Sequence, residues 1–268
     1  METGPRGQEA AVELGLPPDV RACLFDLDGV LTRTATVHAA AWKEMFDEFL
    51  AARAREMVDE PRPFTSEDYD RYVDGRPRLD GTRAFLASRG IGLPEGDPSD
   101  PPGAPTVHGL STRKNDLVLA RLADHVEVYE GSMRYVRAVR GAGLRTAVVS
   151  SSANAKAVLD VAHIADLFDH VVDGQLAQAR GLHGKPAPDT FLAAAEDLGA
   201  GPGEAAVYED AIAGVEAGRA GGFARVVGVD RVGQADALRE HGADVVVSDL
   251  AELLDGQAAA EPTPRREG

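Results

Sequence analysis

The chain has 268 residues, 44% hydrophobic and 27% charged, and its 28 Lys and Arg against 44 Asp and Glu give a formal net charge of −16 at pH 7. This length and composition allow a sizeable buried core, which excludes a disordered polypeptide. The negative charge repels nucleic acid and anionic lipid, so we expect a small-molecule partner, no nucleic acid and no membrane.

Cysteine usage and the absence of long apolar segments indicate the compartment. The single cysteine, Cys23, lies in an apolar run and cannot form an intramolecular disulfide, so we expect it in the core of a protein from a reducing compartment. The first twenty residues have no secretory apolar segment, and no later run is long enough to span a bilayer. These features predict a cytoplasmic protein.

The first strand-like run, 21–26, ends in two carboxylates one residue apart, Asp26 and Asp28, followed by Gly29. Side chains alternate along a strand, so the two acids share a face if the strand stays regular. A loop at the carboxyl end of a parallel strand is the usual place for a site in an open α/β sheet. An Asp-Gly pair is also common in plain turns. This stretch alone leaves an active site and a capped strand equally open.

After this strand the pattern becomes helical. Apolar residues from Val37 to Phe49 recur at helical spacing, which predicts a helix over 34–50. Further helical patterns cover 66–73, 80–89 and 112–123. The segment 92–106 is rich in Pro and Gly and predicts a long loop. No strand pattern alternates with these helices.

From Val126 onward, apolar strand runs alternate with amphipathic helices. The predicted strands are Arg145–Ser150, Phe168–Val172, Ala205–Tyr208, Arg225–Val229 and Asp244–Val247. The predicted helices lie near 131–142, 153–163, 188–199, 211–220, 234–241 and 249–255. Such alternation is typical of a parallel sheet flanked by helices.

The strand at 21–26 needs this sheet, because a lone strand before a helical block has no partner. We therefore predict an α/β fold with a Rossmann-like parallel sheet core, flanked by helices and formed by 18–33 and 125–255, and an inserted helical cap domain at 34–124. Residues 1–17 and 256–268 show little periodicity and are expected to be flexible tails.

Two polar clusters follow later strands. Ser150, Ser152 and Asn154 precede a helix, where hydroxyls and free amides could bind a phosphate or simply cap the helix. Lys185 lies in the Pro-rich turn 183–189 and could hold an anion or remain a solvated charge. Each cluster alone favours the plainer interpretation.

A third cluster, Glu209 and Asp210, ends the strand predicted at 205–208. Paired carboxylates beside further acids suit a hard divalent cation such as Mg²⁺, which takes oxygen ligands and keeps waters. Asp210 could instead cap the helix that follows.

The order of these clusters resembles the haloacid dehalogenase superfamily of phosphotransferases. An Asp-x-Asp, a Ser, a Lys and a pair of acids each follow a strand of one predicted sheet. The forms are Phe25-Asp26-Leu27-Asp28-Gly29-Val30-Leu31-Thr32, Val149-Ser150, Gly184-Lys185-Pro186 and Glu209-Asp210. The ordered set is specific, whereas any two of its motifs would not be.

The resemblance implies distinct roles for the first two acids. Asp26 would be the nucleophile that forms an aspartyl phosphate. Asp28 would be the general acid and base, and its backbone carbonyl would also bind the metal. The superfamily's ion pumps have Thr at the position of Asp28, so Asp28 favours transfer to or from an organic hydroxyl.

The resemblance also implies a metal and a phosphate site. Asp26 and Asp210 would hold Mg²⁺, with Glu209 as a direct or water-mediated ligand. Ser150 and Lys185 would bind the transferring phosphoryl oxygens and stabilise their charge.

The insertion carries a closer resemblance, to the β-phosphoglucomutase-like family. The similar segments are Thr32-Arg33-Thr34-Ala35 with His38 and Trp42, Gly75-Arg76-Pro77-Arg78-Leu79-Asp80-Gly81, and Arg113-Lys114-Asn115-Asp116. The match implies that Arg78 and Lys114 bind the substrate's non-transferring phosphate. Ser152 and Asn154 would contact that phosphate from the core. The resemblance runs over roughly 20–250.

The same match places Thr34 in the hinge of the cap and gives His38 the role of positioning Asp28. Trp42 continues an apolar helix face and is better explained as cap core than as a substrate contact. Without the match, the basic residues of the cap would be interpreted as a solvated face.

Two departures from the family pattern affect the expected substrate. Arg33 stands where the family commonly has Asp, which changes the hinge but removes no catalytic group. The Pro-rich loop 93–103 lengthens the cap, which resembles the subgroup associated with disaccharide phosphorylases.

The function implied by the resemblance is interconversion of β-D-glucose 1-phosphate and glucose 6-phosphate, with Mg²⁺ and with glucose 1,6-bisphosphate as intermediate and activator. A sugar-phosphate phosphatase using the same site is the alternative, and a non-catalytic phosphosugar-binding module is a third hypothesis. Arg78 and Lys114 lining the cleft would favour the mutase. We expect a monomer, because the two domains share one interrupted chain crossover.

Overall fold

The computed structural model describes residues 11–54, 62–122 and 126–254. Its centre is a six-stranded parallel sheet with strand order β3-β2-β1-β4-β5-β6. The strands are β1 (Ala22–Phe25), β2 (Arg145–Val149), β3 (His170–Val172), β4 (Ala205–Glu209), β5 (Arg225–Val229) and β6 (Val245–Val247). The predicted α/β fold with a parallel sheet is confirmed.

The first strand lies in the middle of this sheet and has a neighbour on each side. Leu24 of β1 pairs with Ala147 of β2 and with Val207 of β4, in parallel register. All four residues of β1 are fully buried. A strand covered by helices on both faces has to be apolar throughout, which explains the continuous apolar run in the sequence.

Helices cover both faces of the sheet. After β1 and outside the insertion these are α5 (Glu130–Gly141), α6 (Ala155–Val161), α7 (Gly174–Arg180), α8 (Asp189–Asp197), α9 (Ile212–Ala220) and α10 (Ala235–Glu240). The pattern analysis did not predict α7. The helix predicted at 249–255 is a short 3-10 turn over Leu250–Leu253.

Between β1 and β2 the described residues form an insertion that is helical. Its elements are α1 (Ala35–Ala54), α2 (Ser66–Asp68) continued by a π-helical turn (Tyr69–Val73), α3 (Arg78–Ser88) and α4 (Val107–Leu122). Helix α4 begins at Val107 rather than at 112, because the Thr106 hydroxyl caps it by accepting from the Gly109 amide at 2.9 Å. Among the helices that the structure describes, none is both long and apolar enough to cross a membrane.

The insertion has its own aromatic core. The ring of Phe46 stacks on Trp42 at 5.3 Å and packs against Phe85 at 4.1 Å between centroids. Phe64 closes the cluster at 5.2 Å from Phe46. These four side chains are buried, so the insertion is held together by its own apolar contacts.

Two connecting segments join the insertion to the sheet and run side by side. Thr32 forms an isolated bridge with Val128, and the Arg33 amide donates to the Glu127 carbonyl at 2.9 Å. The Tyr129 amide donates to Leu31 at 2.9 Å. The outgoing segment starts directly after Asp28, so the base of the insertion is tied to that loop.

The start of the chain differs from the expected flexible tail. Ala11, Leu14 and Leu16 are buried, and the Tyr135 hydroxyl donates to the Leu14 carbonyl at 3.0 Å. Short apolar spacing within 11–16 therefore anchors this part of the predicted tail 1–17 on the core. The rest of that segment, and the predicted tail 256–268, lie outside the described residues.

Cys23 lies in the core, as the sequence predicted, and its thiol is free. Burial raises the pKa of this thiol to about 12, although the Tyr208 hydroxyl lies 3.6 Å away. A thiol with so high a pKa is unreactive at neutral pH.

Candidate active site

The predicted site residues meet at the carboxyl edge of the sheet, as the topology requires. Strand β1 leads into Asp26 and Asp28, β2 into Ser150, and β4 ends at Glu209, which Asp210 follows. These side chains line one cavity of about 570 Å³ between the sheet edge and the insertion. We call the four acids and Lys185 the acidic pole of this cavity.

Lys185 is the centre of the acidic pole. Its Nζ lies 2.5 Å from Asp26 Oδ1, 2.5 Å from Glu209 Oε1 and 3.1 Å from the Val149 carbonyl. Burial lowers the pKa of Lys185, but the two carboxylates outweigh this and hold the pKa above its usual value. The lysine therefore stays charged and fixes both acids.

Asp26 and Asp210 are acids in a strongly desolvated place. Burial is the largest cause that raises the pKa of Asp26, and Lys185 opposes it. Burial also raises the pKa of Asp210, and the nearby Asp74 and Glu209 add to the effect. Uncompensated negative charge of this kind calls for a cation.

Three of the acids are arranged to bind a metal. One oxygen each of Asp26, Glu209 and Asp210 lie within 4.8 Å of one another. An all-carboxylate donor set fits a hard divalent cation such as Mg²⁺. Gly29, at φ +95°, makes the arrangement possible, because a Cβ there would lie 1.7 Å from Asp210 Oδ2. Any side chain at Gly29 would push the two acidic loops apart.

The side chain of Asp28 does not join this donor set but turns toward the insertion. Its Oδ1 accepts a hydrogen bond from the Thr34 hydroxyl and lies 3.6 Å from His38 Nε2. Its Oδ2 accepts from Ser150 Oγ at 3.5 Å. Thr34 and His38, both predicted from the hinge motif, therefore contact the acid that the sequence assigns to proton transfer.

Lys114 of α4 lies on the insertion side of the cavity, buried against His38 and Trp42, and the same imidazole separates it from Asp28. Its Nζ is 3.0 Å from His38 Nδ1 and 4.9 Å from the centre of the Trp42 ring. Burial, with the nearby charge of Arg78, lowers the pKa of Lys114 to about 7. Burial, with the charge of Lys114, lowers the pKa of His38 to about 4, so this imidazole is neutral at pH 7.

Arg78 lies near Lys114 in the lining of the cavity, and we call the two the basic pole. Arg78 Nη1 donates to Asn115 Oδ1, which also accepts from Asn154 Nδ2 at 2.9 Å. Burial lowers the pKa of Arg78, and its Nε is buried without a hydrogen-bond partner in the described parts of the chain. Asn115 thereby connects the insertion to the core across the cavity.

Ser152 and Trp42 also line the cavity but are engaged elsewhere. The Ser152 amide donates to Ser150 Oγ at 3.1 Å, and its hydroxyl accepts from the Asn154 amide at 3.2 Å. Trp42 is 3% exposed and stacks on Phe46, so it is part of the insertion's core, as expected, and a wall of the cavity too.

Sequence reasoning missed Asp74, which lines the same cavity. Burial raises the pKa of Asp74 to about 7, and Glu209, Asp70 and Asp28 add to this. The next residue, Gly75, accepts from the Ser151 hydroxyl at 2.7 Å and would meet Ala211 at 2.9 Å if it carried a Cβ. The sequence did contain a signal, a second Asp-Gly pair formed by Asp74 and Gly75. Asp74 was missed because it lies one residue before the segment 75–81 that carries the family resemblance.

Comparison with known proteins gives a consistent result. Residues 20–222 match the family of haloacid dehalogenase-like hydrolases. A beta-phosphoglucomutase of Mycobacterium tuberculosis is 56% identical over 246 residues, which cover 90% of this chain and 94% of that protein. A fructose-1-phosphate phosphatase of Escherichia coli, YqaB, is 31% identical over 75% of this chain and 92% of its own.

A solved structure supports the fold. The crystal structure of a beta-phosphoglucomutase from Clostridium difficile matches with a TM-score of 0.68 at 24% identity, over 87% of this chain and 93% of that one. At this identity the match shows the fold alone. With the family match and the 56% relative, it follows that the chain belongs to the haloacid dehalogenase superfamily and, within it, to the beta-phosphoglucomutase-like family.

Proposed function

We propose that this protein is a β-phosphoglucomutase that interconverts β-D-glucose 1-phosphate and glucose 6-phosphate through an aspartyl phosphate. The observation that carries the proposal is that Arg78 and Lys114 line the same cavity as Asp26. A bisphosphate intermediate has a phosphate at each end, so it needs a basic pole opposite the reacting acid. The relative at 56% identity is a beta-phosphoglucomutase, which supports the same reaction.

The reaction begins with glucose 1,6-bisphosphate as phosphoryl donor. Asp26 attacks the phosphorus atom, a bond forms from its carboxylate oxygen to phosphorus, and the bond from phosphorus to the sugar oxygen breaks. Asp28 gives its proton to the departing sugar oxygen. In the second transfer Asp28 takes the proton from the attacking hydroxyl of a sugar monophosphate, and the phosphoryl group leaves Asp26.

Lys185 and Ser150 are proposed to bind the oxygens of the phosphoryl group in transfer. Lys185 already holds Asp26 at 2.5 Å, which orients the nucleophile as well as adding charge. The Ser150 hydroxyl lies 3.5 Å from Asp28 and is free to turn toward a phosphate. These groups act without reorganising the core, because Ser150 follows a buried strand and Lys185 is itself buried and bonded to the Val149 carbonyl.

The metal site is proposed to hold Mg²⁺ through the side chains of Asp26, Glu209 and Asp210, and through the Asp28 carbonyl. The carboxylate oxygens within 4.8 Å of one another support the first three ligands. Mg²⁺ supplies positive charge that offsets the charge of the phosphoryl oxygens. Glu209 is shared with Lys185, so it is either a direct ligand or one acting through water.

The non-transferring phosphate is proposed to bind at the basic pole. Arg78 Nε is buried and unpartnered within the described residues, and Lys114 lines the same cavity. Asn154 and Ser152 contact this phosphate from the core side. His38 and Thr34 hold Asp28 in place, since both lie against its Oδ1.

A sugar-phosphate phosphatase is the second candidate. The E. coli fructose-1-phosphate phosphatase at 31% identity shows that the family includes this activity. Water would then replace the sugar hydroxyl as acceptor from the phosphorylated Asp26. A non-catalytic phosphosugar-binding module is the third candidate, and it predicts an unchanged biological activity for Asp26→Asn.

One incubation distinguishes the candidates. The protein is mixed with β-glucose 1-phosphate, Mg²⁺ and a trace of glucose 1,6-bisphosphate, and the products are separated. Glucose 6-phosphate is expected. If the products were free glucose and inorganic phosphate, the protein would be a phosphatase and not a mutase. If no sugar phosphate were turned over, both enzyme hypotheses would be contradicted.

A further inference from the structure

The loop after β5 lies outside every motif discussed so far, yet it is highly ordered by its own contacts. Asp230 Oδ1 accepts from the amides of Val232, Gly233 and Gln234 at 3.2, 2.7 and 2.9 Å. These three bonds fix the turn on which Arg231 and Gln234 are carried. The turn is therefore a rigid support for both side chains.

Arg231 uses this turn to hold the loop that follows β1. Its Nε donates to the Gly29 carbonyl at 2.8 Å, and its Nη2 lies 3.5 Å from the Val30 carbonyl. Its Nη1 donates to the Ser248 carbonyl at 2.6 Å. The side chain is only 14% exposed. Few cations can bridge three carbonyls in this way, since the arrangement needs the planar fork of arginine.

Gln234 holds the second acidic loop. Its Nε2 donates to the Asp210 carbonyl at 2.9 Å, and the next amide, Ala211, donates to Glu209 Oε2 at 2.9 Å. One turn thus contacts the backbone of both loops that carry the acidic pole. The contacts are to carbonyls, so the side chains of the acids remain free to face the cavity.

The two loops need an external support because they repel each other. Gly29 and Asp210 approach so closely that a Cβ on Gly29 would lie 1.7 Å from a carboxylate oxygen. Asp26 and Asp210 are buried acids whose like charges oppose each other, so each disfavours the ionised form that a metal ligand needs. Lys185 contacts Asp26 and Glu209, and no bond from it to Asp210 is among those of the described residues.

The hinge is tied to the same support. The Arg231 guanidinium lies 3.6 Å from the centre of the Tyr129 ring, and Arg33 lies 4.5 Å from the same ring. Arg33 is the residue that departs from the common family pattern. It joins the outgoing connecting segment to Tyr129 of the returning one, beside Arg231.

We propose that Arg231 and Gln234 are positioning residues that set the separation of the two acidic loops before a divalent cation binds. The inference rests on the proposed Mg²⁺ site. A site held ready in this way binds its ion without first bringing the loops together, so its affinity is higher than that of a loose site. Replacing residues that hold the ligands of a metal without touching the metal itself typically weakens metal binding by about 10-fold to 100-fold.

The test measures Mg²⁺ binding to the sugar-free protein by titration calorimetry. Arg231→Lys keeps the charge but loses the fork, and Gln234→Leu removes the donor at similar size. Each is expected to weaken Mg²⁺ binding by about 10-fold or more. Arg239→Lys is the matched control, because Arg239 pairs with exposed Asp236 at 3.0 Å and touches neither acidic loop.

The outcomes separate this inference from the proposed function. A wild-type protein that binds no Mg²⁺ would contradict the proposed metal site itself. Wild-type affinity in both Arg231→Lys and Gln234→Leu would overturn the positioning role while leaving the metal site intact. A lower thermal midpoint with unchanged Mg²⁺ affinity would also overturn it, because that result describes a purely structural contact. Gln234→Leu keeps the test decisive if Arg231→Lys fails to fold.

Discussion

The acidic and basic poles of the cavity are built in opposite ways. At the acidic pole, Lys185 contacts two of the four carboxylates, those of Asp26 and Glu209, at 2.5 Å on strand ends of a buried sheet, so negative charge remains in excess. At the basic pole, neither Arg78 nor Lys114 forms an ion pair with a carboxylate of the described residues, and burial lowers the pKa of both. The cations of the basic pole lack carboxylate partners and suit an anion, whereas the excess of carboxylates at the acidic pole suits a cation.

The largest effect is expected from replacing Asp26, the proposed nucleophile of the acidic pole. Asp26→Asn is expected to reduce both mutase and phosphatase activity by about 10⁴-fold or more, because the amide cannot form the acyl phosphate. Acid quenching after mixing with radiolabelled bisphosphate measures the phosphorylated protein directly. If Asp26→Asn retained the label at the wild-type level, a residue other than Asp26 would be the nucleophile.

Removing the cation of the acidic pole tests how strongly that pole depends on pairing. Lys185→Met leaves Asp26 and Glu209 buried without their partner, which is expected to lower the free energy of unfolding by about 3 to 5 kcal/mol. Urea unfolding measures the loss. Lys43→Met is the control, because Lys43 pairs with Asp47 on the surface and should cost less than about 1 kcal/mol. If the two variants lost the same free energy of unfolding, the ion pairs of Lys185 would have no special role in stability.

Removing a cation of the basic pole should affect binding rather than folding. Arg78→Ala is expected to raise KM for glucose 1-phosphate by about 10-fold to 100-fold, the value of one or two charged hydrogen bonds. Steady-state kinetics measure it. Arg113→Ala is the control, because Arg113 adjoins Lys114 in the chain but pairs with Glu48 at 3.0 Å. If the two variants had the same KM, Arg78 would not be a phosphate ligand.

The smallest expected effect is a pH dependence of anion binding. The pKa of Lys114 is lowered to about 7, so Lys114 is charged below pH 7 and becomes neutral as the pH rises through 7. Sulfate keeps its charge over this range, so its affinity for the sugar-free protein should fall by a few-fold from pH 6 to pH 8. Calorimetry at both values measures it. The His38 pKa of about 4 keeps this imidazole neutral throughout.

The control for this prediction is Lys114→Met. The variant is expected to bind sulfate weakly and with a smaller change between pH 6 and pH 8, because Asp74, whose pKa is also about 7, still loses its proton in the same cavity. A pH dependence in Lys114→Met as large as that of the wild type would have its origin in another group than Lys114.

Most of the acidic pole could be predicted from sequence because its acids follow strands. In a parallel sheet the carboxyl ends of strands meet at one edge, so Asp26 and Glu209 had to converge once the topology was known. Lys185 does not follow a strand directly, because α7 lies between it and β3, and it reaches the acids from the turn before α8. The distances among them could not be predicted, since they depend on packing. The metal donor set is one oxygen each from three acids, and the side chain of Asp28 turned away from it toward Thr34.

The contacts between the insertion and the core could not be predicted as well from the sequence. Asn115 links Arg78 to Asn154 only because the insertion docks over the sheet edge, and no periodicity in the sequence records that docking. Arg231 was missed for another reason, because it acts on backbone carbonyls, which are the same at every residue. The packed segment 11–16 was missed because three apolar residues among Gly, Pro and Glu gave too short a pattern.

Part of the cavity wall restricts how the enzyme can recognise its sugar. It consists of apolar side chains that offer no directional hydrogen bonds, namely Val73, Leu79, Ala177 and Leu182. An intermediate with a phosphate at each end must present either end to Asp26, so its ring passes this wall in two orientations. A wall that gripped particular ring hydroxyls would favour one orientation and slow the other. Recognition is therefore expected to come mainly from the groups that bind phosphate, because these apolar parts of the wall offer the sugar ring no fixed hydrogen bonds and leave it room to turn.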